Sequence, residues 1–362
     1  MNIATKKDLF NLIIDSPDEA LYEKAKSNWN SIAKPLDGLG DFEDLICRIS
    51  AITGSEKPDI SKRAAVIFCA DNGIVEEGIS QSGKEVTVNV AKALGRGISS
   101  ACSLGEMAKV KVFPVDIGID CNEEIQGVRN LKVAKGTCNF LKEPAMTDSE
   151  VLCAIGRGIE IAGELKNQGY GIISMGEMGI GNTTTSTAVL CALLGLDCNK
   201  VTGRGAGLDD KGLLHKKEVI KQALEKYDFD SIADQKEKAF QILRSVGGLD
   251  IAGLAGLAIG GAIYHVPIVL DGLISSVAAL AAECVVPGTK AYLLPSHKGR
   301  EGGNQLALEA LGLSPYMNGD MALGEGTGAI MLFPLMDLVL GFYNNGAKFG
   351  DYEMDEYKRF AK

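Results

Sequence analysis

Short apolar runs alternate with helix-like segments through the middle of the chain. Five such runs end in polar residues and glycine: AAVIFCADNG (64–73), VKVFPVDIG (110–118), GIISMGEMGIG (171–181), VPIVLDG (266–272) and AYLLPSHKG (291–299). Uninterrupted apolar runs are typical of strands buried on both faces, and strands that alternate with helices form parallel sheets of right-handed βαβ units. The pattern therefore predicts an α/β fold with a doubly wound, mainly parallel sheet and helices on both faces.

The two ends of the chain show helical spacing instead. A Ser-Pro-Asp-Glu sequence at 16–19 predicts that Ser16 caps a helix, and the apolar residues after KPLDGLGD recur at helical intervals. Near the other end, GTGAIMLFPLMDLVLGFYNN predicts a strongly apolar helix that must bury against something. We expect residues 1–55 and 333–362 to form a small helical domain, and residues 56–332 to form a Rossmann-like α/β catalytic domain.

Polar side chains stand at the ends of the predicted strands. They are Asp71, Asp116, Glu177, Asp271 and His297. Ligands of open α/β sheets bind outside the carboxyl ends of the strands, so these side chains are expected to converge there. Each one alone fits a helix cap or a turn equally well. Only the set of five indicates a ligand site.

Composition narrows the class of protein. The 362 residues are 46% hydrophobic, enough for a large core, and the net charge of -10 without a basic cluster argues against a nucleic-acid partner. Residues 251–270 carry no formal charge, but their glycines and Pro267 favour a packed helix and a buried strand over a membrane span. Nine cysteines without a C-x-x-C pair, and an N-terminus unlike a signal segment, predict a cytoplasmic protein.

Glycine is concentrated in four loops, DGLGD, GEMGIGN, GRGAGLDD and LGEGTG. Backbone N–H groups in such loops bind anions, and a helix start behind the loop adds its dipole. The loops therefore predict a phosphate-bearing ligand. GIGNTTT lacks the lysine of a Walker loop, and GLGDFE lacks the third glycine of a dinucleotide fingerprint. ATP hydrolysis of the Walker type is excluded, and a nicotinamide-dinucleotide oxidoreductase is a distant alternative.

Several charged residues are candidates for chemistry. Lys216 follows GRGAGLDD and is either a phosphate ligand or a solvated surface lysine. His297 and Glu301 are four residues apart, but a third ligand is not apparent, so we expect no metal. Glu325 lies between glycines in an apolar neighbourhood that suits proton abstraction, and Glu177 has a similar glycine setting. Either glutamate could instead cap a helix.

Eight motifs together resemble a known family. In order along the chain they are KPLDGLGDFEDL, FCADNGIVEEGIS, GTCNFLKEPAMT, GEMGIGNTTTSTAV, VTGRGAGLDD, VLDGLISSVAAL, SHKGREGG and MALGEGTGAIM. This order is similar to that of the nicotinate-nucleotide dimethylbenzimidazole phosphoribosyltransferases, from about Lys34 to about Met336. The resemblance implies transfer of the 5-phosphoribosyl group from nicotinate mononucleotide to a lower-ligand base of a cobamide. It also implies that no cofactor is needed and that the enzyme is a homodimer.

The resemblance assigns roles to individual residues. Glu325 would be the general base that takes the azole proton, and Glu177 would support the base or the ribose. Ser80 and Leu323 would help to form the azole pocket. The mononucleotide, chiefly its phosphate, would be held by Gly179, Gly181, Asn182, Thr183, Gly203, Gly205 and Lys216.

The chain differs from the usual family pattern in three places. Ser82 and Gly83 stand where the family usually has a proline, often behind a tyrosine, in the segment that lines the base pocket. Gly299 replaces a serine and Ala322 replaces an arginine. These differences leave azoles, purines and phenols as alternative acceptors. They also leave open a nucleotide-binding partner subunit or sensor with the same fold.

Overall fold

The computed structural model describes residues 3–359 and contains one large parallel sheet. Its strands, and those of a small second sheet, are β1 (Arg63–Ala70), β2 (Val110–Gly118), β3 (Arg129–Asn130), β4 (Ile172–Met178), β5 (Ile268–Leu270), β6 (Leu293–Pro295), β7 (His297–Gly299) and β8 (Met317–Met321). The large sheet has the order β3-β2-β1-β4-β5-β6 with every pair parallel, while β7 and β8 pair separately. Strand order reverses between β1 and β4, which is where doubly wound sheets bind ligands.

Helices connect the strands. They are α1 (Lys6–Phe10), α2 (Glu19–Ser31), α3 (Asp41–Thr53), α4 (Glu85–Gly95), α5 (Ser100–Met107), α6 (Asp148–Asn167), α7 (Asn182–Leu194), α8 (Cys198–Val201), α9 (Asp210–Lys226), α10 (Gln235–Val246), α11 (Leu249–Ile263), α12 (Leu273–Val285), α13 (Gly302–Leu311) and α14 (Thr327–Asn345). The apolar segment 251–270 is a buried helix followed by a strand, as its glycine-rich sequence predicts.

The central strand β1 faces a hydrophobic core on each side. Ala64, Val66 and Phe68 belong to a core shared with α6, α7, α11 and α12. Ile67 and Cys69 point the other way, into a core shared with α2, α3, α5 and α14. Successive side chains of a strand point to opposite faces, so an all-apolar strand needs two covered faces. The predicted doubly wound α/β fold is confirmed.

Segments from the two chain ends pack together. Trp29 of α2 lies 5.0 Å from Tyr343 of α14 between ring centroids. The cap of α2 is Asp18, whose side chain accepts a hydrogen bond from the Leu21 amide, and not Ser16 as the sequence pattern suggested. The division into a helical domain and a catalytic domain stays a prediction, and its residues 1–2 and 360–362 lie outside the described range.

Within residues 3–359, one helix is long and apolar enough by composition to cross a membrane. It is α14, with a mean hydropathy of 1.3 in its most apolar window. Core helices of water-soluble proteins meet the same criterion, and the inner side of α14, including Phe333 and Met336, is buried in the core that α14 shares with α3.

Candidate active site

The site begins where β4 ends. A tight turn of Gly179, Ile180 and Gly181 joins Glu177 at the end of the strand to Asn182 at the start of α7. Gly181 has a φ of +93°, and a Cβ on Gly179 would lie 2.5 Å from the Ala70 carbonyl oxygen. Only glycine fits both positions, because one needs a left-handed backbone and the other has no room for a side chain. The turn therefore delivers the N-terminus of α7 to the carboxyl edge of the sheet.

A cavity lies at this helix start. Its lining includes residues 79–81, 179–183, 204–206, Leu208 and Lys216. Lys216 is only 1% exposed, and its Nζ donates a hydrogen bond of 2.8 Å to Thr183 Oγ1. Burial lowers the pKa of Lys216 to about 8, and the nearby Glu301 carboxylate opposes that shift. An ammonium group, glycine-rich backbone and a helix N-terminus are together suited to a phosphate.

The second glycine loop forms one wall of this cavity. Gly205 lines the cavity, whereas Gly203 does not. A Cβ on Gly203 would lie 2.5 Å from Glu301 Oε1. The same oxygen accepts a hydrogen bond of 3.1 Å from the Gly205 amide. Glu301 therefore ties the loop to the start of α13.

The other end of the site is rich in carboxylates. Asn182 Nδ2 donates hydrogen bonds to Glu177 Oε2 and, at 3.1 Å, to Asp250 Oδ2. Burial raises the pKa of Glu177 to about 8, with a further contribution from Asp250. Burial likewise raises the pKa of Asp250 to about 6, although the bond from Asn182 opposes it. The turn after β4 thus carries a phosphate-type site on one side and an acidic site on the other.

Glu325 lies on a loop that packs directly on β4. Gly324, Glu325 and Gly326 all have left-handed backbones, with φ of +88°, +56° and +75°. A Cβ on Gly176 would lie 2.9 Å from the Glu325 carbonyl oxygen, and one on Gly324 would lie 3.3 Å from Glu177 Oε1. Glu325 Oε2 accepts a hydrogen bond of 3.1 Å from the Ala101 amide in the first turn of α5. The glycines therefore bring the loop of Glu325 against the carboxylate of Glu177.

Asp271 and His297 contact the start of α14, directly after this loop. Asp271 Oδ1 accepts a hydrogen bond of 3.1 Å from the Ala329 amide in the first turn of α14, directly after the loop. A Cβ on Gly328 would lie 2.2 Å from His297 Nδ1, so the ring packs against the same turn. Burial raises the pKa of Asp271 and lowers that of His297.

The remaining candidates have different surroundings. Ser80 lines the cavity beside the phosphate-type site, and its Oγ accepts a hydrogen bond of 3.2 Å from the Ser82 amide. Leu323 is 60% exposed on the loop before Glu325. Asp116 forms an ion pair of 3.2 Å with Lys132 and caps its own turn at Ile119, so it serves the strand and not the site.

His297 and Glu301, whose spacing in the sequence resembles that of two metal ligands, are not arranged as a metal site. His297 lies on β7 and Glu301 precedes α13, so the two do not share a helix face. Over residues 3–359, no group of three or more His, Cys, Asp and Glu side chains is arranged to hold a metal ion.

Asp250 is the residue that the sequence patterns missed as part of the site. It is fully buried in the first turn of α11, far along the chain from its partner Asn182 at the start of α7. Its one signal was an acidic residue at the start of an otherwise uncharged helix. That signal fits an ordinary helix start, because acidic side chains are favoured there.

The chain is similar to known phosphoribosyltransferases in sequence and in fold. A family model described as phosphoribosyltransferase matches residues 14–353. The nicotinate-nucleotide–dimethylbenzimidazole phosphoribosyltransferase of Ruminiclostridium cellulolyticum is 41% identical over 336 residues, covering 93% of this chain and 94% of that protein. That of Acetivibrio thermocellus is 41% identical over 329 residues, covering 91% and 92%. The crystal structure of CobT from Thermus thermophilus has a TM-score of 0.86 at 32% identity, covering 93% of this chain and 100% of that one.

Proposed function

The chain belongs to the nicotinate-nucleotide–dimethylbenzimidazole phosphoribosyltransferase family, and from this membership we propose that it transfers the 5-phosphoribosyl group of nicotinate mononucleotide to a lower-ligand base. Nicotinate leaves, and an α-riboside phosphate for cobamide assembly is formed.

The opposite polarity of the two ends of the site supports this substrate. Nicotinate mononucleotide carries a phosphate at one end of its ribose and a positively charged pyridinium at the other. Lys216 and the glycine loops suit the phosphate, while Glu177 and Glu325 lie on the acidic side. Each end of the site thus faces a group of opposite charge on the nucleotide. This orients the nucleotide before the reaction and lowers the entropic part of the barrier.

Glu325 is the proposed general base. One ring nitrogen of an azole attacks the anomeric carbon while Glu325 takes the proton from the other nitrogen. The bond between the ribose and the pyridinium nitrogen breaks, and its electron pair stays on nicotinate. The cationic ring is already a good leaving group, so this transfer balances with no metal or redox cofactor. A negative Glu177 stabilises the positive charge that develops on the ribose.

The phosphate ligands in this proposal are the residues of the two loops and the buried lysine. Gly179, Gly181, Asn182, Thr183, Gly205 and Lys216 line the cavity. Gly203 contributes indirectly, because its missing side chain gives Glu301 access to the loop.

Turnover of nicotinate mononucleotide with dimethylbenzimidazole tests the function, with free nicotinate and the riboside phosphate as products. We expect Glu325→Gln to lower kcat by roughly 100- to 10,000-fold, because the amide cannot accept the proton. Glu353→Gln is the control, since Glu353 is also a left-handed glutamate but is exposed at the far end of the chain. Equal kcat for wild type and Glu325→Gln would remove Glu325 from this role.

The acceptor base is proposed as an azole, a purine or a phenol. Ser80 and Leu323 flank the entrance in this proposal, and Ser82 with Gly83 replaces the bulkier residues usual in the family. A phenol would give an O-glycoside, with Glu325 taking the hydroxyl proton. A competition assay with dimethylbenzimidazole, adenine and a phenol in one reaction, analysed by product mass, ranks the three classes.

A partner subunit or sensor is the second candidate function, favoured by Ser82, Gly83 and Ala322, which differ from the residues usual in the family. Under this alternative the pure protein binds nicotinate mononucleotide but is inactive until a paralogous chain is added. Activity of the pure protein excludes it.

We also propose a homodimer, in the cytoplasm, with α14 at the interface. Met331, Leu335, Leu338 and Phe342 form one stripe along this helix, and Leu338 is 71% exposed. An exposed apolar stripe of this kind marks a protein–protein contact. Leu338→Lys should convert the dimer to a monomer in light scattering, and a wild-type monomer would contradict the proposal.

A further inference from the structure

One amide group joins two carboxylates beneath the site. The Nδ2 atom of Asn182 donates to Glu177 Oε2 and to Asp250 Oδ2. An amide NH₂ has two hydrogens, so this pair of bonds uses both. Glu177 is partly open to the site, whereas Asp250 is fully buried. The two carboxylates are therefore held close together, and only Glu177 can meet a ligand.

The surroundings fix Asp250 in place. Its Oδ1 atom accepts a hydrogen bond of 3.0 Å from the Ile251 amide. A Cβ on Gly248 would lie 2.5 Å from Oδ1, and one on Gly179 would lie 2.9 Å from Oδ2. Glycine at both positions lets the backbone close around the carboxylate, so Asp250 cannot turn away from Asn182.

The charges that face this pair are negative. Asp271 from the end of β5 and Glu325 from the loop before α14 act on Glu177. Asp71 from the end of β1 acts on Asp250. Two carboxylates that share one amide, with further carboxylates around them, do not both ionise easily, because like charges at short range favour the protonated form.

Two positive groups of the surroundings lie beside outer carboxylates. His297 lies beside Asp271, and burial lowers its pKa. Lys84 lies 3.6 Å from Asp120, whose backbone amide binds Asp71. Each of these groups therefore lies beside an outer carboxylate. Lys216 lines the same cavity as Asn182, but its ammonium group is bonded to Thr183 on the phosphate side. The pyridinium of the ligand would add a positive charge next to Glu177.

We propose that Asp250 is a positioning residue, held beside Glu177 by Asn182, whose negative charge keeps a proton on Glu177 in the free enzyme, and that this proton leaves when the pyridinium nucleotide binds. The inference rests on the proposed function, because it requires a cationic ligand beside Glu177. In the binding step the O–H bond of Glu177 breaks, the electron pair stays on the carboxylate, and the proton passes to the buffer. The bound state then has a negative charge next to the anomeric carbon.

The acidities of the two groups support this assignment. The pKa of Glu177 is raised to about 8 by burial and by Asp250, and the pKa of Asp250 is raised to about 6 by burial; the hydrogen bonds from Asn182 oppose both shifts but do not cancel them. Near pH 7 the pair therefore holds about one proton, mostly on Glu177. When Glu177 is protonated, the free enzyme does not have negative charges on both Glu177 and Asp250. Loss of the proton supplies the second charge only when the substrate can use it.

Calorimetry can count this proton. Nicotinate mononucleotide is titrated into the enzyme without an acceptor base, in buffers of different ionisation enthalpy at one pH. We expect about one proton to be released per site at pH 7, and none well above the pKa of about 8. Over the range below that pKa, the affinity should rise by up to tenfold per pH unit. Ribose 5-phosphate, which has the phosphate but no pyridinium, should not release this proton.

Two variants separate the proposed role from a merely structural one. Asp250→Asn keeps the shape and an oxygen for Asn182 but removes the charge, so the pH midpoint of proton release should fall below that of wild type. Asp71→Asn removes a buried carboxylate that does not bond to Asn182, and its proton release should stay near wild type. If Asp250→Asn does not fold, Glu177→Gln provides the test, because it should abolish the release.

The outcomes distinguish this inference from the proposed function. Normal turnover with no proton release by wild type, or with the wild-type midpoint in Asp250→Asn, overturns the inference alone. Retained release in Glu177→Gln also overturns it, because the proton would then reside elsewhere. A protein that neither binds nor turns over nicotinate mononucleotide overturns both.

Discussion

Lys216 illustrates how burial sets the working range of a single side chain. The residue is almost completely buried, and within residues 3–359 its Nζ atom donates one hydrogen bond, to Thr183 Oγ1. An ammonium group has three hydrogens, so the others are available to a phosphate. Its lowered pKa, about 8, means that the charge is present at neutral pH and is lost at moderately alkaline pH.

This gives a prediction for binding of the phosphate. The affinity for ribose 5-phosphate should change little near pH 7 and should fall as the pH rises through the pKa of Lys216, about 8, because the ammonium loses its proton. Lys216→Met should weaken binding at pH 7 by roughly 10- to 150-fold, the effect of a lost charge-assisted hydrogen bond. Titration calorimetry measures both.

Glu301 provides the control for the cause of this pH limit. Its carboxylate is the group that raises the pKa of Lys216 against the effect of burial. Glu301→Gln keeps an oxygen for the Gly205 amide but removes the charge, so the alkaline loss of affinity should begin at a lower pH. Lys217→Met, one position along α9, should leave the profile as it is. An unchanged profile in Glu301→Gln would show that the carboxylate does not act on Lys216.

Sequence patterns singled out most residues that line the candidate site, and the physical reason is local. Glu177, Asn182 and Thr183 lie in one glycine turn, and Glu325 lies in another, so their settings can be read from neighbouring residues. Asp250 was missed because its role depends on how closely α11 approaches the turn after β4. The positions that decide this approach, such as Gly179 and Gly248, have no local sign of their contact.

At the scale of elements, five strands of the large sheet were predictable, whereas β3 and the separate pair of β7 and β8 were not. The run at 64–73 covers β1 except for Arg63, and the other four predicted runs contain β2, β4, β5 and β6, because strands buried on both faces are apolar throughout. The two-residue strand β3 and the ribbon of β7 and β8 have mixed polar sequences. Their pairing depends on neighbouring strands, which periodicity does not report.

The contact of α6 with α11 gives a prediction at this scale. A Cβ on Gly158 would lie 2.2 Å from the Gly253 carbonyl oxygen, so the two helix backbones touch there. Gly158→Ala should lower the free energy of unfolding by about 3 kcal/mol, since one backbone must move. Urea unfolding measures the change.

Gly156 on the same helix is the matched control. A Cβ there meets no atom within 4 Å. Gly156→Ala should therefore stabilise the protein by about 0.5 to 1 kcal/mol, because alanine favours the helix and reduces the entropy of the unfolded chain. Similar effects of the two substitutions would mean that helix propensity, and not the helix contact, decides the result at Gly158.

At the scale of the whole molecule, the sequence order of strands and helices predicted the class of fold, while the sharing of cores between distant segments could not be read from it. Trp29 near one chain end and Tyr343 near the other belong to the same core as Ile67 and Cys69 of the central strand. Within the proposed helical domain of residues 1–55 and 333–362, α2, α3 and α14 thus share their hydrophobic interior with one face of the sheet, whereas Leu9 of α1 belongs to the core on the other face. Apolar contacts of this extent couple the stability of the parts that make them.

The shared core predicts that both proposed domains unfold together. Trp29 is the single tryptophan, so its fluorescence reports on the packing of α2 and α14, while far-UV circular dichroism reports on all helices. We expect the two signals to give one urea midpoint, and saturating nicotinate mononucleotide to raise both midpoints equally, because a ligand that binds only the folded state stabilises the whole cooperative unit. Tyr343→Ala should lower both midpoints alike. A fluorescence transition that comes first, and that the nucleotide leaves in place, would mean that the helical segments form a separate unit resting on the catalytic domain.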